Sequence, residues 1–255
     1  LRAGHYRVYS KPETSFWCCV GSGLENHAKY NELIYAHQGN NLFVNLFIPS
    51  QLNWKEKGLT IAQRTNFPET EQTSLLIQSV TKSAFTLNIR YPKWVKPGSL
   101  TVLLNGKKVA FKALPGQYIA INHKWKKGDE IVIKMDMTPR LEKIGDNPSY
   151  IAVSRGPVLF ARDTRLNGPE LTAVLKPVIT EGRIQLKDTV SGTPDVWMEV
   201  TMLFTAETYP ESQTKPVAIS LCDYASAGNG NKPSYFMVWM PQLVDPRTFA
   251  ASAKP

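Results

Sequence analysis

Residues 100–111, LTVLLNGKKVAF, predict a β-hairpin and give the first indication of the fold. Asn105 and Gly106 stand between two strand-like segments. Asn-Gly is the pair that a type I′ turn favours, because both central residues of that turn need positive φ. A hairpin of this kind, with apolar and polar residues alternating before its turn, indicates a strand with one buried face.

The same period-two pattern recurs on both sides of the hairpin. Four segments precede it: LFVNLFIP (42–49), LTIAQRTNFP (59–68), SLLIQSV (74–80) and FTLNIRYP (85–92). QYIAINHKW and DEIVIKMDM follow it, and we expect them to pair through a turn at Lys127-Gly128. A second series contains YIAVSRGPVLFARD, KPVITEGRIQL, WMEVTMLFTA, KPVAISLCDYA and YFMVWMP. Short strands with frequent turns indicate β-sandwiches.

The pattern predicts a mainly β fold with two consecutive β-sandwich domains. We place the first at residues 41–140 and the second at residues 141–245, with residues 246–255 as a tail. Residues 1–40 have a different character and contain one predicted helix.

The predicted helix follows two adjacent cysteines, Cys18 and Cys19. Ser22 and Glu25 fit the capping box S-x-x-E, which places the helix N-terminus at Ser22. A stop at Gly39-Asn40 gives a helix of about 15 residues. The cysteines would then lie immediately before the helix, where backbone N–H groups and the helix dipole favour thiolates.

The cysteine pair has three interpretations on local grounds. Two thiolates could be half of a tetrahedral zinc site. A cysteine could form a nucleophile pair with His27, if the imidazole comes within hydrogen-bond reach. Alone, however, the pair is better explained as two small residues packed at a tight helix entrance. The third cysteine, Cys222, lies in an apolar strand-like segment and is expected to be a small buried hydrophobe.

Composition argues against several classes of protein. The net charge is +9, but the lysines are scattered over turns and strand ends, so we expect no nucleic-acid partner. No apolar run approaches the roughly 20 residues of a membrane helix, so we expect no membrane partner. Three cysteines cannot form a disulfide framework. Three further histidines are expected to be surface or edge residues without partners: His5, His37 and His123.

Several longer segments match one family of enzymes in sequence and in order. They are CCVGSGLENHAKYNELIYAHQGNNLFVNLFIPSQLNW, FTLNIRYPKWV, LTVLLNGKKV, YIAVSRGPVLFARD and YASAGNGNKPSYFMVWMP. They resemble the superfamily of glycoside hydrolase families 127 and 146, whose characterised activity is β-L-arabinofuranosidase. The resemblance covers about residues 12–245. It implies the C-terminal portion of such an enzyme, with residues 1–40 as the last piece of an (α/α)6 catalytic barrel ahead of two β-sandwiches.

The resemblance also implies roles for the cysteines. Cys18 matches a nucleophile whose thiolate attacks the anomeric carbon in a retaining mechanism. Cys19 matches a zinc ligand, and Cys18 contacts the same zinc, which keeps the thiol deprotonated. In the family the third cysteine, the zinc glutamate and the acid/base glutamate lie upstream, so the zinc site is expected to be incomplete in this chain. His27 is expected to face the sugar pocket.

We therefore expect the C-terminal part of a zinc-thiolate retaining glycoside hydrolase acting on oligo- or polysaccharides of plant type. It would be inactive without its N-terminal barrel, and it would work in the periplasm or outside the cell. The alternative is a non-catalytic carbohydrate-binding or structural β-sandwich protein in which the cysteines are merely packed. A third hypothesis is an independent cysteine hydrolase.

Overall fold

The described residues fall into two compact units, the first ending at Met137 and the second beginning at Thr138. The computed structural model describes residues 18–145, 147–206, 215–230 and 234–243. Each unit consists mainly of β strands and has its own hydrophobic core. No helix among these residues is long and apolar enough to cross a membrane.

The helix α1 covers Cys18–Ile34, and its start differs from the predicted one. Ser22 lies in its second turn. An N-cap residue needs non-helical backbone, so the predicted capping box with Glu25 is wrong: the S-x-x-E spacing alone does not fix a helix start. The cysteine pair therefore lies in the first described turn of the helix. The helix also ends before Gly39, because residues 35–38 pair as a strand instead.

Ten strands make up the first unit. They are β1 (Tyr35–Gln38), β2 (Asn41–Val44), β3 (Ser50–Trp54), β4 (Leu59–Thr65), β5 (Gln72–Ser79), β6 (Ala84–Arg90), β7 (Leu100–Leu104), β8 (Lys107–Lys108), β9 (Tyr118–Lys124) and β10 (Glu130–Met135), with a 3-10 turn at Lys55–Lys57. One sheet has the order β1-β2-β6-β9, and the other has the order β3-β4-β5-β10-β7-β8. Only β2 and β6 pair in parallel among these strands.

Apolar side chains of both sheets form one core cluster, so the first unit is a β-sandwich. Burial alternates along β4 and β5, as the period-two pattern predicts. The largest fully buried side chain is Trp125. Its indole Nε1 donates to the carbonyl of Phe85 at 2.9 Å, and the two rings stack at 5.5 Å between centroids.

The prediction that β9 pairs with β10 is wrong. β9 pairs with β6 in one sheet, whereas β10 lies between β5 and β7 in the other. The connection through Lys127-Gly128 therefore crosses from one sheet to the other. Alternation shows that each strand buries one face, but it does not show which sheet the strand joins, because both sheets bury their inner faces in the same core.

The Asn105-Gly106 turn has the predicted conformation, with φ of 50° and 78°. The carboxylate of Asp129 connects this turn to the β9–β10 connection. It accepts a hydrogen bond from Asn105 Nδ2 at 2.9 Å and another from the backbone N–H of Lys126 at 2.9 Å. Burial by itself would raise the pKa of Asp129, but these bonds and the nearby His123 more than offset it and lower the pKa.

Asp129→Asn is expected to lower the free energy of unfolding by about 2 kcal/mol, the scale of a hydrogen bond to a charged group. The lowered pKa means that the ionised carboxylate stabilises the fold above pH about 4 and loses this effect as the pH falls through the folded-state value. The difference between wild type and variant, measured by urea unfolding, should therefore shrink in acid. Glu130→Gln, at the exposed neighbour, is the control and should change stability by less than about 0.5 kcal/mol.

Nine strands lie in the described residues of the second unit. They are β11 (Arg140–Ile144), β12 (Asn147–Arg155), β13 (Val158–Asp163), β14 (Leu175–Pro177), β15 (Lys187–Thr189), β16 (Glu199–Ala206), β17 (Val217–Asp223), β18 (Phe236–Met237) and β19 (Met240–Pro241). The main path of the sheet is β11-β12-β13-β17-β16-β14, and all pairings are antiparallel. β15 joins β16, β18 joins β13, and β19 joins β12.

The second unit has a main core around Phe160, Phe204 and Leu221 and a smaller cluster that contains Cys222. The predicted mainly β fold class is confirmed. The assignment of the helix to an (α/α)6 barrel stays a prediction. The predicted tail at residues 246–255 lies outside the described residues.

Candidate active site

Cys18 and Cys19 are both exposed in the first described turn of α1. Their Sγ atoms lie 3.9 Å apart, and the two side chains are in contact with each other. The interpretation of the pair as two packed core residues is therefore wrong. Both thiols are open to solvent, and their sulfur atoms lie on the same side of the helix.

This separation fits two ligands of one zinc ion. With Zn–S bonds of about 2.3 Å and tetrahedral angles, two sulfur ligands lie about 3.8 Å apart. The observed 3.9 Å is close to this value. The pair alone supplies two ligands, and among the described residues no group of three or more His, Cys, Asp or Glu side chains could hold a metal. The described residues thus fit half of a zinc site.

His27 cannot form the nucleophile pair that the sequence left open. It follows Cys19 by eight residues on the same helix, and eight residues of α-helix rise about 12 Å. That distance is far beyond a hydrogen bond, so the independent Cys–His pair is excluded for this conformation. The His27 ring lies edge-on to Tyr30 at 5.4 Å, and both residues are exposed. Its proposed place beside a sugar stays a prediction.

His123 and His37, which the sequence predicts to lack partners, both contact other side chains. His123 Nε2 lies 3.3 Å from a carboxylate oxygen of the buried Asp129, and its ring meets the edge of Trp125. His37 packs against Trp54 at 5.1 Å. The sequence did not show these contacts because they depend on the pairing of distant strands. His5 lies outside the described residues.

Cys222 is fully buried, as predicted for a small hydrophobe. Burial, followed by the carboxylates of Asp163 and Asp223, raises the pKa of its thiol to about 12. A thiol in this state is a poor nucleophile at neutral pH. Of the three cysteines, only the adjacent pair is suited to chemistry.

A polar cluster that the sequence did not predict lies at the end of β13. The side chain of Asp163 is fully buried and forms an ion pair with Arg165 at 2.8 Å. Arg165 in turn donates to the carbonyl of Ser226 at 3.0 Å and to that of Asn229. Burial alone would raise the pKa of Asp163, but the bonds from Arg165 and Gly228 lower it. The cluster ties the loop after β17 to the sheet, which is a structural role.

A cavity of about 240 Å³ lies beside this cluster, under the loop of residues 164–171. Its buried cation is Arg162, whose pKa burial lowers to about 10. The guanidinium donates to the backbone carbonyls of Pro169, Glu170 and Leu171. Arg162 therefore holds the loop in place rather than offering its charge to a ligand.

Comparisons with known proteins agree with the resemblance in the sequence. Residues 41–137 match the family described as "Beta-L-arabinofuranosidase, GH127 middle domain". No curated protein matches the chain in sequence. A solved structure of a glycoside hydrolase superposes with a TM-score of 0.72 at 25% identity, over 94% of this chain and 42% of that one.

Two GH127 structures share the fold. A GH127 β-arabinofuranosidase gives a TM-score of 0.75 at 22% identity, over 94% of this chain and 41% of that one. A GH127 β-L-arabinofuranosidase from Geobacillus stearothermophilus T6 gives a TM-score of 0.73 at 23% identity, over 92% of this chain and 39% of that one. The chain thus spans about two fifths of the length of these solved relatives. The sequence match and the shared fold together confirm the resemblance to GH127: residues 41–137 are similar to its middle domain, and the chain has the fold of the corresponding part of these solved structures.

Proposed function

We propose that the chain is part of a retaining glycoside hydrolase that cleaves β-L-arabinofuranosides in plant-type glycans, with Cys18 as the nucleophile. The observation that carries the proposal is the exposed cysteine pair, with sulfurs 3.9 Å apart, on the helix that leads into the GH127 middle domain. The buried thiol of Cys222 is unsuited to this role.

Cys18 would act in two steps. Its thiolate attacks the anomeric carbon, so that a C–S bond forms while the glycosidic C–O bond breaks and the leaving oxygen takes a proton from a general acid. Water then attacks the same carbon and gives its proton to the group that acted as the general acid, while the sulfur leaves as thiolate. Two displacements at one carbon retain its configuration. We place the acid/base carboxyl in an N-terminal (α/α)6 barrel of the whole enzyme.

Cys19 would bind zinc together with Cys18. Bound zinc keeps coordinated thiols deprotonated at neutral pH. The exposed position of both sulfurs leaves room for two further ligands, which we also assign to the barrel. His27 is exposed on the same helix, and we assign it to the sugar-binding pocket. A polysaccharide substrate fits a secreted or periplasmic enzyme.

The proposal predicts that the chain is inactive by itself. Purified alone, it should release no sugar from an aryl β-L-arabinofuranoside, because the described residues hold no third zinc ligand beside the cysteine pair. It should also retain substoichiometric zinc after dialysis, because two ligands bind far more weakly than four. Sugar release is followed by absorbance of the aryl group, and zinc by elemental analysis.

The matched control is the double variant Cys18→Ser, Cys19→Ser, which reports zinc held elsewhere on the chain. Wild type should exceed it in zinc uptake by a small but measurable amount. Turnover by the chain alone, at a rate comparable to that of a GH127 enzyme with its barrel, would refute the need for the barrel.

A further inference from the structure

The outer face of the four-stranded sheet in the first unit has an unusual surface. On β6 and β9 the side chains of Leu87, Ile89, Ile119 and Ile121 point into the core, so the residues between them point outward. We call this outer surface the amide face, and its central residues are Gln38, Asn41, Phe43, Asn45, Thr86, Asn88, Tyr118, Ala120 and Asn122.

The amide face is uncharged at its centre. One residue in five of the chain is charged, and the net charge is +9. On the described part of this face, charged side chains occur at Lys124 and at Arg90, which pairs with Tyr118 and lies 3.5 Å from the Asn45 carbonyl. A sheet face that is merely solvated usually carries charges, so the neutral centre needs another explanation.

Two aromatic rings bridge the face. Phe43 of β2 and Tyr118 of β9 meet edge to face at 5.1 Å between centroids, over the intervening strand β6. Tyr118 is 41% exposed even so. Its hydroxyl donates to Asn45 Oδ1 at 2.6 Å, which fixes the ring in place. The result is an immobilised aromatic surface open to solvent.

Carboxamides surround the rings and retain free capacity for hydrogen bonds. Asn122 Oδ1 accepts a hydrogen bond from the hydroxyl of Thr86 at 2.6 Å, as Asn45 Oδ1 does from Tyr118. Both bonds use the amide oxygens, so the NH2 groups of Asn45 and Asn122 are left for a ligand. Asn88 is 7% exposed, and its Nδ2 contacts to Asn41 and Leu42 are long, at 3.4 Å. Bonds of this length are weak.

We infer that the amide face binds a neutral oligosaccharide that lies across the strands. A sugar ring presents C–H groups that pack on an aromatic ring and hydroxyls that both donate to and accept from amides. Arg90 is the one cation beside Tyr118 among the described residues, and the side chains of Thr86, Ala120 and Asn122 carry no charge, which favours a neutral polymer over an acidic one. The inference rests on the proposed function for its sugar class, arabinose-containing glycans, but it concerns binding outside the cysteine site.

The test is calorimetric titration of the chain with soluble arabinan and with arabinoxylan. Wild type should bind at least one of them. Tyr118→Ala and Asn45→Ala should each weaken binding about tenfold, as expected for residues at the centre of an interface. Both residues lie at the surface, and unchanged melting temperatures would show that the variants are folded. Tyr235→Ala, at an exposed tyrosine of the second unit, is the control and should bind like wild type.

Three results would overturn the inference. They are undiminished binding by both variants, binding to acidic polygalacturonate alone, and a dimer in sedimentation that Tyr118→Ala abolishes. The test of the amide face can fail or succeed independently of the test of the proposed activity. If the chain binds arabinan through Tyr118 while the barrel-containing enzyme fails to release arabinose, the amide face stands and the proposed activity falls. If the barrel-containing enzyme releases arabinose but the chain does not bind arabinan through Tyr118, the proposed activity stands and the amide face falls.

Discussion

Replacing Asp163 by alanine is expected to lower the free energy of unfolding by about 3–5 kcal/mol, the usual cost of removing one partner of a buried ion pair. The Asp163 side chain is fully buried, and that of Arg165 is 19% exposed. One carboxylate oxygen accepts from the Arg165 backbone N–H and Nε, at 2.9 and 3.0 Å. The other accepts from Arg165 Nη2 and the Gly228 N–H, both at 2.8 Å.

The loss extends beyond the pair because Arg165 also organises a loop. Its guanidinium donates to the carbonyls of Pro194, Ser226 and Asn229. Without the carboxylate, the cation loses the anion that binds its Nε and Nη2 directly. The loop around Ser226 should then show faster amide hydrogen exchange than the strands of the same sheet.

The effect of the substitution should depend on pH. The folded-state pKa of Asp163 is lowered, so the carboxylate stabilises the fold above the unfolded-state value of about 3.9. This contribution is lost as the pH falls through the folded-state pKa. The gap in stability between wild type and Asp163→Ala, from urea unfolding, should be full at pH 7 and should narrow below pH about 4.

The matched control is Asp188→Asn. Asp188 forms an ion pair of similar length with Arg155, at 2.7 Å, but its side chain is 76% exposed. An exposed pair contributes at most about 1 kcal/mol. Equal losses in the two variants would contradict the role given to burial.

The sequence predicts the strands of this protein well because each strand has one buried face. Alternation in segments such as 59–65 appears directly in the burial of the strand. The turn at Asn105-Gly106 was equally predictable, since both residues must adopt positive φ. These features are local, and the residues that determine them are adjacent in the chain.

The sequence could not predict features that depend on distant partners. The assignment of β9 and β10 to different sheets follows from the partners that each strand finds, not from its own pattern. Asp163 and Gly228 meet across 65 residues of chain. Only the spacing of Asp163 and Arg165 at a strand end pointed to a cluster, and that spacing is common on surfaces.

The sequence predicted that the cysteine pair lies near the start of the helix, but it did not predict that both thiols are exposed. The local pattern put Cys18 and Cys19 before the helix and favoured packing, and only the family resemblance gave them roles in catalysis and zinc binding. The structure puts both in the helix and exposed. A thiol pair next to a helix terminus suits either role, because a cysteine side chain is small and apolar enough to pack. The exposure of both thiols excludes the packed interpretation. That exposure depends on the residues around the pair in space, so the local sequence does not show it.

In an enzyme that includes the N-terminal barrel, Cys18→Ser is expected to reduce kcat at least about 10⁴-fold, as loss of a covalent nucleophile does. Serine keeps the shape of the side chain, but its hydroxyl is not ionised near neutral pH and so cannot replace the thiolate. The measurement is arabinose release from an aryl β-L-arabinofuranoside under single-turnover conditions.

Cys19→Ser distinguishes the two sulfurs. If Cys19 only binds metal, its loss should lower zinc content, and added zinc should restore part of the activity, whereas zinc should not rescue Cys18→Ser. Cys222→Ala is the control, because a buried thiol with a raised pKa takes no part in the reaction, and its kcat should stay within about twofold of wild type. Mass spectrometry of the quenched reaction should find a pentosyl group on the peptide that contains Cys18. The same group on another residue, or full activity of Cys18→Ser, would remove Cys18 from the mechanism, because a retaining displacement needs a covalent bond at the nucleophile.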